Sequence, residues 1–322
     1  MKDHAHTATP SAPAVSEKFR DPEVTAQGAP RARVALEAPT TLWFNTGTLC
    51  NITCARCYIE SSPRNDALVY LTAEEVAGFL AQIPERGWPV EEIGLTGGEP
   101  FMNPDIIDIA ERALQAGHRL LILTNAMRPM MRPRSQEALI RLQARYGARM
   151  TLRISLDHYT AARHDQERGP GSFAQSVKGM AWLQAKGIAM SVAGRSLWTE
   201  EDATARAGYG ALFQKHGFAI DAQDPAQTVL FPEMDLSVDV PEISTACWGI
   251  LGTSPRDVMC ATSRMVVKRK GAARPVVVAC TLLPYDPRFE LGETLAEAEG
   301  DVALNHPHCA QFCVLGGARC SA

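Results

Sequence analysis

The chain has 322 residues, 46% of them hydrophobic, and a formal net charge of -4. That is enough apolar material for one large core and a small appendage, and no Lys/Arg-rich block favours nucleic acid or an anionic membrane. The longest apolar stretches are strand-sized, which excludes a transmembrane helix.

Residues 1–40 are rich in Ala, Pro, Thr and charge and lack the continuous apolar run of a secretory signal. They read as a mostly disordered N-terminal tail of a cytoplasmic protein. Nine cysteines in such a chain point to metal or redox use rather than to disulfides.

The first predicted strand is Thr41–Thr46, and the run that follows carries Cys50, Cys54 and Cys57 at C-x3-C-x2-C spacing. Thiolates are the usual anchors of iron–sulfur clusters, and a four-iron cluster normally takes four of them. Three ligands from one short loop leave one iron open to a small molecule. A zinc site is the competing reading, although zinc favours paired knuckles that complete four ligands.

A helix follows over Thr72–Ile83, where Thr72 and Glu75 form a capping-box signature. The second strand, Glu92–Thr96, closes on Gly97-Gly98-Glu99-Pro100, and a helix covers Pro104–Ala116. The third strand is Arg119–Thr124, with Asn125 at its end, and the third helix is Ser135–Tyr146. The fourth strand, Met150–Leu156, precedes Asp157. A helix at Phe173–Lys186, a strand at Ile188–Gly194, a helix at Glu200–His216 and a sixth strand at Gln227–Phe231 complete the alternation.

Strands alternating with helices over short connections argue a parallel α/β sheet, and ligands then belong at the strand ends. Six units fit either a partial barrel or a doubly wound sheet. After Pro232 the alternation stops. Met265–Arg269 and Pro275–Ala279 predict a hairpin about Gly271, and Thr294–Glu299 a short acidic helix. The domain reading is therefore a tail over 1–40, an α/β unit over 41–231 and a cysteine-rich extension over 232–322.

The cysteine loop after the first strand and the Gly-Gly-Glu-Pro run after the second together resemble the radical S-adenosylmethionine (radical SAM) enzymes. Ser155, Asp157 and Arg195 add to the resemblance, as does the stretch His164-Asp165, Arg168-Gly169, Gly171-Ser172-Phe173, which looks like the peptide-modifying branch. The resemblance implies a partial (β/α)6 TIM-like barrel with a small cysteine-rich extension containing a β-hairpin. It also implies a [4Fe–4S] cluster on Cys50, Cys54 and Cys57, with S-adenosylmethionine on the open iron. One electron would then release a 5′-deoxyadenosyl radical that abstracts hydrogen from a substrate. A small reductant protein, flavodoxin or ferredoxin, is implied as the electron source.

By the same resemblance, Gly97 and Gly98 meet the methionine amine and Glu99 supports their turn. Ser155 and Asp157 face the ribose hydroxyls, Arg195 meets the carboxylate, and Asn125 is a further candidate. Arg56 stands where the family commonly has an aromatic residue, which leaves adenine packing to Tyr58.

The late cysteines resemble the auxiliary-cluster extensions called SPASM and twitch domains. Cys260, Cys280, Cys309 and Cys313 are the preferred ligands of one auxiliary [4Fe–4S] cluster, with Cys320 their competitor. The expected function is a radical SAM oxidoreductase that oxidises or crosslinks a peptide, protein or small metabolite. The alternative is a non-catalytic iron–sulfur electron carrier or cofactor-assembly protein. No acid or base is assigned; Glu233, Asp235, His158 and Tyr159 all suit plain loop roles.

Overall fold

The computed structural model describes residues 18–196 and 198–318. The alternation forms six strands: β1 (Thr41–Asn45), β2 (Glu92–Thr96), β3 (Arg119–Thr124), β4 (Met150–Ser155), β5 (Ala189–Ser196) and β6 (Thr228–Pro232). All six run parallel and lie side by side in chain order. The crossovers are α1 (Ala73–Arg86), α2 (Ile106–Gln115), α3 (Pro133–Tyr146), the pair α4 (Ala161–Arg168) and α5 (Ser172–Ala185), and α6 (Asp202–His216). The capping box expected at α1 is present. The Glu75 amide donates to Thr72 Oγ1 at 3.2 Å and the Thr72 amide to Glu75 Oε2 at 3.0 Å.

The late hairpin, β7 (Ser263–Val267) and β8 (Val276–Val278), is joined to this same sheet. β7 pairs in parallel with β1, and a short β9 (Glu290–Gly292) pairs with β8. The result is a mixed nine-stranded sheet with β9 and β6 at its edges, flanked by helices. No strand pattern in the sequence marks β9. The acidic helix expected at Thr294–Glu299 is reduced to one 3-10 turn, Glu297–Glu299.

Strand residues alternate between two buried faces, as parallel strands covered on both sides must. Leu42, Phe44, Ile93, Leu95, Ile122 and Ile154 pack under the helices. Trp43, Leu121, Ala193 and Phe231 face the other way and pack with the C-terminal segment. Gly94 makes room there, since a Cβ on it would stand 2.6 Å from Trp43 Cδ2. The C-terminal segment thus backs the inner face of the sheet.

The disordered tail expected over 1–40 is corrected for residues 18–40, while residues 1–17 lie outside the described residues. Ala32 and Val34 are fully buried, and Arg33–Val34 pairs antiparallel with Val302–Ala303. Arg31 donates to Glu242 Oε1 at 2.5 Å, with both side chains buried. Local composition misses this because the strand partner and Glu242 both lie more than two hundred residues away. Among the described residues no helix is long and apolar enough to cross a membrane.

Candidate active site

The cysteine loop is fixed at the carboxyl ends of β1 and β2 by main-chain hydrogen bonds. Thr48 N donates to Leu68 O and Cys50 N to Ser62 O, both at 3.0 Å, and Ala55 N donates to Glu167 O at 2.8 Å. The glycine turn after β2 lies directly on this loop. Gly98 N donates to Gly47 O at 2.8 Å and Glu99 N to Leu49 O at 3.2 Å. A Cβ on Gly98 would stand 2.7 Å from Thr48 O, and Gly97 adopts φ +136°. Both glycines are therefore demanded by the cysteine loop itself, whatever else approaches them.

Cys50, Cys54, Cys57, Tyr58, Gly97, Gly98, Asn125, Ser155, Asp157 and Arg195 all line one cavity of about 170 Å3. Ten of the candidates are thus brought together around one space. Glu99 is not among them. It is buried behind the turn, where it accepts from Thr124 Oγ1 at 2.8 Å, Asn125 N at 2.9 Å and Phe101 N at 3.2 Å. It pins the end of β3 to the turn. Burial pushes its carboxyl up to about 7 against those three donors.

Asp157 is committed more fully than the sequence suggested. Arg168 donates to it through both Nε (2.7 Å) and Nη2 (2.9 Å). Burial pushes the Asp157 carboxyl up, but the charge and hydrogen bonds of Arg168 outweigh it and hold the group below the usual carboxylate range. Arg168 also lines the cavity, as do Trp43, Thr281 and Leu282. In the sequence Arg168 stands out only as part of a motif, and nothing local marks its pairing across eleven residues.

Arg195 Nη1 donates to Arg56 O at 2.7 Å, and its guanidinium lies 4.5 Å from the centre of the Tyr58 ring. Its Nε is buried without a hydrogen-bond partner among the described residues. Tyr58 donates to Pro232 O at 3.0 Å and packs edge-on against Phe231 and Phe312. Arg56 bridges Glu167 and Glu233, the second at 3.0 Å. Glu233 thus serves the loop, and Asp235 accepts from Ser237 within its own turn. His158 and Tyr159 are tied to Glu200 and do not line the cavity.

The Radical SAM superfamily model matches residues 44–196, the stretch that builds this site. Residues 44–196 belong to the radical SAM superfamily. It is 35% identical over 158 residues to the antilisterial bacteriocin subtilosin biosynthesis protein AlbA of Bacillus subtilis, covering 48% of this chain and 33% of that one. It is 30% identical over 148 residues to the AdoMet-dependent heme synthase of Methanosarcina barkeri, covering 46% and 40%. The chain thus spans well under half the length of these curated relatives. Its fold is similar to that of Streptococcus suis SuiB bound to S-adenosylmethionine, at 14% identity and a TM-score of 0.57 over 80% of this chain and 63% of SuiB. SuiB bound to its precursor peptide SuiA gives 0.54 at 13% identity over the same shares.

The radical SAM cysteines suit an iron–sulfur group by their chemistry. Burial pushes the Cys50 thiol up to about 12 and also raises Cys54, where Arg168 works against it. Thiols so buried ionise when a metal draws off the proton. Among the described residues no three His, Cys, Asp or Glu side chains form a site for a metal ion.

A second, small hollow is lined by Cys260, Cys280, Cys309 and Cys313, the preferred auxiliary set. Burial raises the Cys260 thiol to about 12, with Cys280 adding to it, and burial likewise raises the Cys309 thiol well above its ordinary value. Cys320 lies outside the described residues. Cys247 does not line the hollow and instead accepts from Ser244 N at 3.4 Å. Leu282 lines both this hollow and the larger cavity, so a single side chain belongs to both walls.

Proposed function

We propose that this chain is a radical SAM oxidoreductase, built on a partial (β/α)6 barrel, that oxidises or crosslinks a peptide. Cys50, Cys54 and Cys57 would hold a three-thiolate [4Fe–4S] cluster, and Cys260, Cys280, Cys309 and Cys313 an auxiliary one. Bound there, the first cluster with S-adenosylmethionine supplies a 5′-deoxyadenosyl radical for hydrogen abstraction, and the second supplies an outlet for the electron left behind.

The chain's own residues bind and orient. Gly97 and Gly98 present main-chain groups to the cavity beside the cysteines. Arg195 offers a buried Nε to a carboxylate, and Tyr58 offers a ring already stacked on that arginine. Ser155 stands ready for a hydroxyl, while Asp157 holds Arg168 in place. Trp43, Leu123 and Phe231 give the cavity an apolar floor that excludes water from a reactive intermediate.

The observation that carries this reading is the shared wall. Three thiols and the glycine turn ring one cavity, and Leu282 also lines the four-thiol hollow. A peptide substrate is supported by the likeness to AlbA, named for bacteriocin biosynthesis, and to SuiB, seen with a precursor peptide. A flavodoxin- or ferredoxin-like protein would deliver the electron. After anaerobic reconstitution, dithionite and S-adenosylmethionine should yield 5′-deoxyadenosine, and Cys54→Ala should abolish it. A fully clustered protein that forms none would favour an electron carrier.

A further inference from the structure

His308, in the run His306-Pro307-His308-Cys309, lines the hollow of the four late cysteines. The other side chains around that hollow are apolar, among them Met259, Leu283, Phe289 and Leu304. His308 Nδ1 is buried with no hydrogen-bond partner among the described residues. Its backbone amide donates to His306 Nδ1 at 3.1 Å, and the two rings meet edge to face with centres 4.6 Å apart. The ring is thereby held in place on the wall of the hollow.

A buried ring nitrogen left unpaired is costly, and native proteins rarely leave one so. Apart from His308 itself, the cysteine sulfurs supply the hydrogen-bonding atoms among the lining side chains, together with the weak Met259 thioether. We infer that His308 Nδ1–H donates a hydrogen bond to a sulfur of the auxiliary iron–sulfur group and raises its reduction potential. This rests on the proposed auxiliary site. A donor at sulfur stabilises the more negative, reduced form, so the group accepts an electron more readily. His308 is a positioning and tuning residue, not a ligand.

The test uses the full chain, reconstituted anaerobically, as wild type, His308→Leu and His308→Asn. Asparagine keeps an N–H donor near the Nδ1 position, and leucine removes it. Iron and sulfide are counted, and each cluster is titrated potentiometrically by electron paramagnetic resonance. The expected result is the iron of two clusters in all three proteins, with the auxiliary couple at more negative potential in His308→Leu. His308→Asn should recover most of that shift, and the couple of the Cys50–Cys57 cluster should not move. Equal potentials in wild type and His308→Leu would overturn the inference. So would loss of one cluster's iron in His308→Leu, which would make His308 a ligand. Cys260→Ala tests the underlying reading separately: unchanged iron there removes the auxiliary group, and the role of His308 with it.

Discussion

Gly98 lies flat on Leu49: a Cβ at Gly98 would stand 2.6 Å from the Leu49 carbonyl carbon. That neighbour is backbone, held by the Glu99 N to Leu49 O hydrogen bond, and it cannot rotate aside. Gly98→Ala should therefore push the cysteine loop off the end of β2, at a cost of about 1–3 kcal/mol. Iron bound per chain after reconstitution should fall sharply while the circular dichroism spectrum stays that of a folded α/β protein. Gly78→Ala is the control. Gly78 sits inside α1 with nothing within 4 Å of its Cβ position, so alanine should raise stability by about 0.5–1 kcal/mol and leave iron binding alone.

Glu99 predicts a pH dependence of the opposite sign to most carboxylates. Burial raises it from 4.5 to about 7, so the folded chain binds a proton there that the unfolded chain has released. Its contribution is fully present below pH 4.5 and is lost as pH rises through about 7. The difference amounts to roughly 3 kcal/mol at most. Urea unfolding of the metal-free chain from pH 4.5 to 8 should show this decline, and Glu99→Gln should flatten it. Parallel profiles for the two proteins would mean that Glu99 is ionised in the fold.

The six parallel strands and their crossovers were legible because each is a local pattern. A buried β run such as Arg119–Thr124 and a capped helix at Thr72 carry their own signals. The cavity set was legible for a related reason, since residues at successive strand ends converge once the strands are parallel. What stayed hidden is pairing between distant segments. Nothing near Ser263 marks it as the partner of Thr41, and nothing near Arg31 marks Glu242. Arg168 was hidden differently. It ends α4, a short polar helix with little apolar periodicity, so its turn towards Asp157 follows from packing rather than pattern.

Asp157 and Arg168 form an ion pair within the cavity wall. Arg168→Met would leave a carboxylate with 2% side-chain exposure without its two donors, and breaking such a pair costs about 3–5 kcal/mol. Arg168→Met combined with Asp157→Asn should recover much of that loss, which a thermal melt of the single and double variants will read. Asp157 is held below its ordinary 3.8. Its stabilisation is therefore present above that value and lost as pH falls through the lower, folded value. The double variant should lack this part of the acid dependence.

Arg31 and Glu242 decide whether residues 18–40 belong to the fold. Glu242 accepts from Arg31 Nη2 at 2.5 Å and from the amides of Phe19 and Ala26, both at 2.6 Å. Arg31 also donates to Asp21 O and Val24 O, at 2.6 and 2.9 Å. One carboxylate and one guanidinium thus gather Phe19, Asp21, Val24 and Ala26 onto a single ion pair, with the arginine side chain 0% exposed and the glutamate 1%. Burial pushes the Glu242 carboxyl up, and the hydrogen bonds of Arg31, Ala26 and Phe19 outweigh it. Glu242→Leu should strand a buried cation and cost about 3–5 kcal/mol, releasing residues 18–34 to protease. Glu242→Gln keeps an acceptor for two of the three donors and should cost less. Limited proteolysis, with cleavage sites read by mass spectrometry, separates the outcomes: protection equal to wild type in Glu242→Leu would mean that the segment is held by Ala32 and Val34 packing alone.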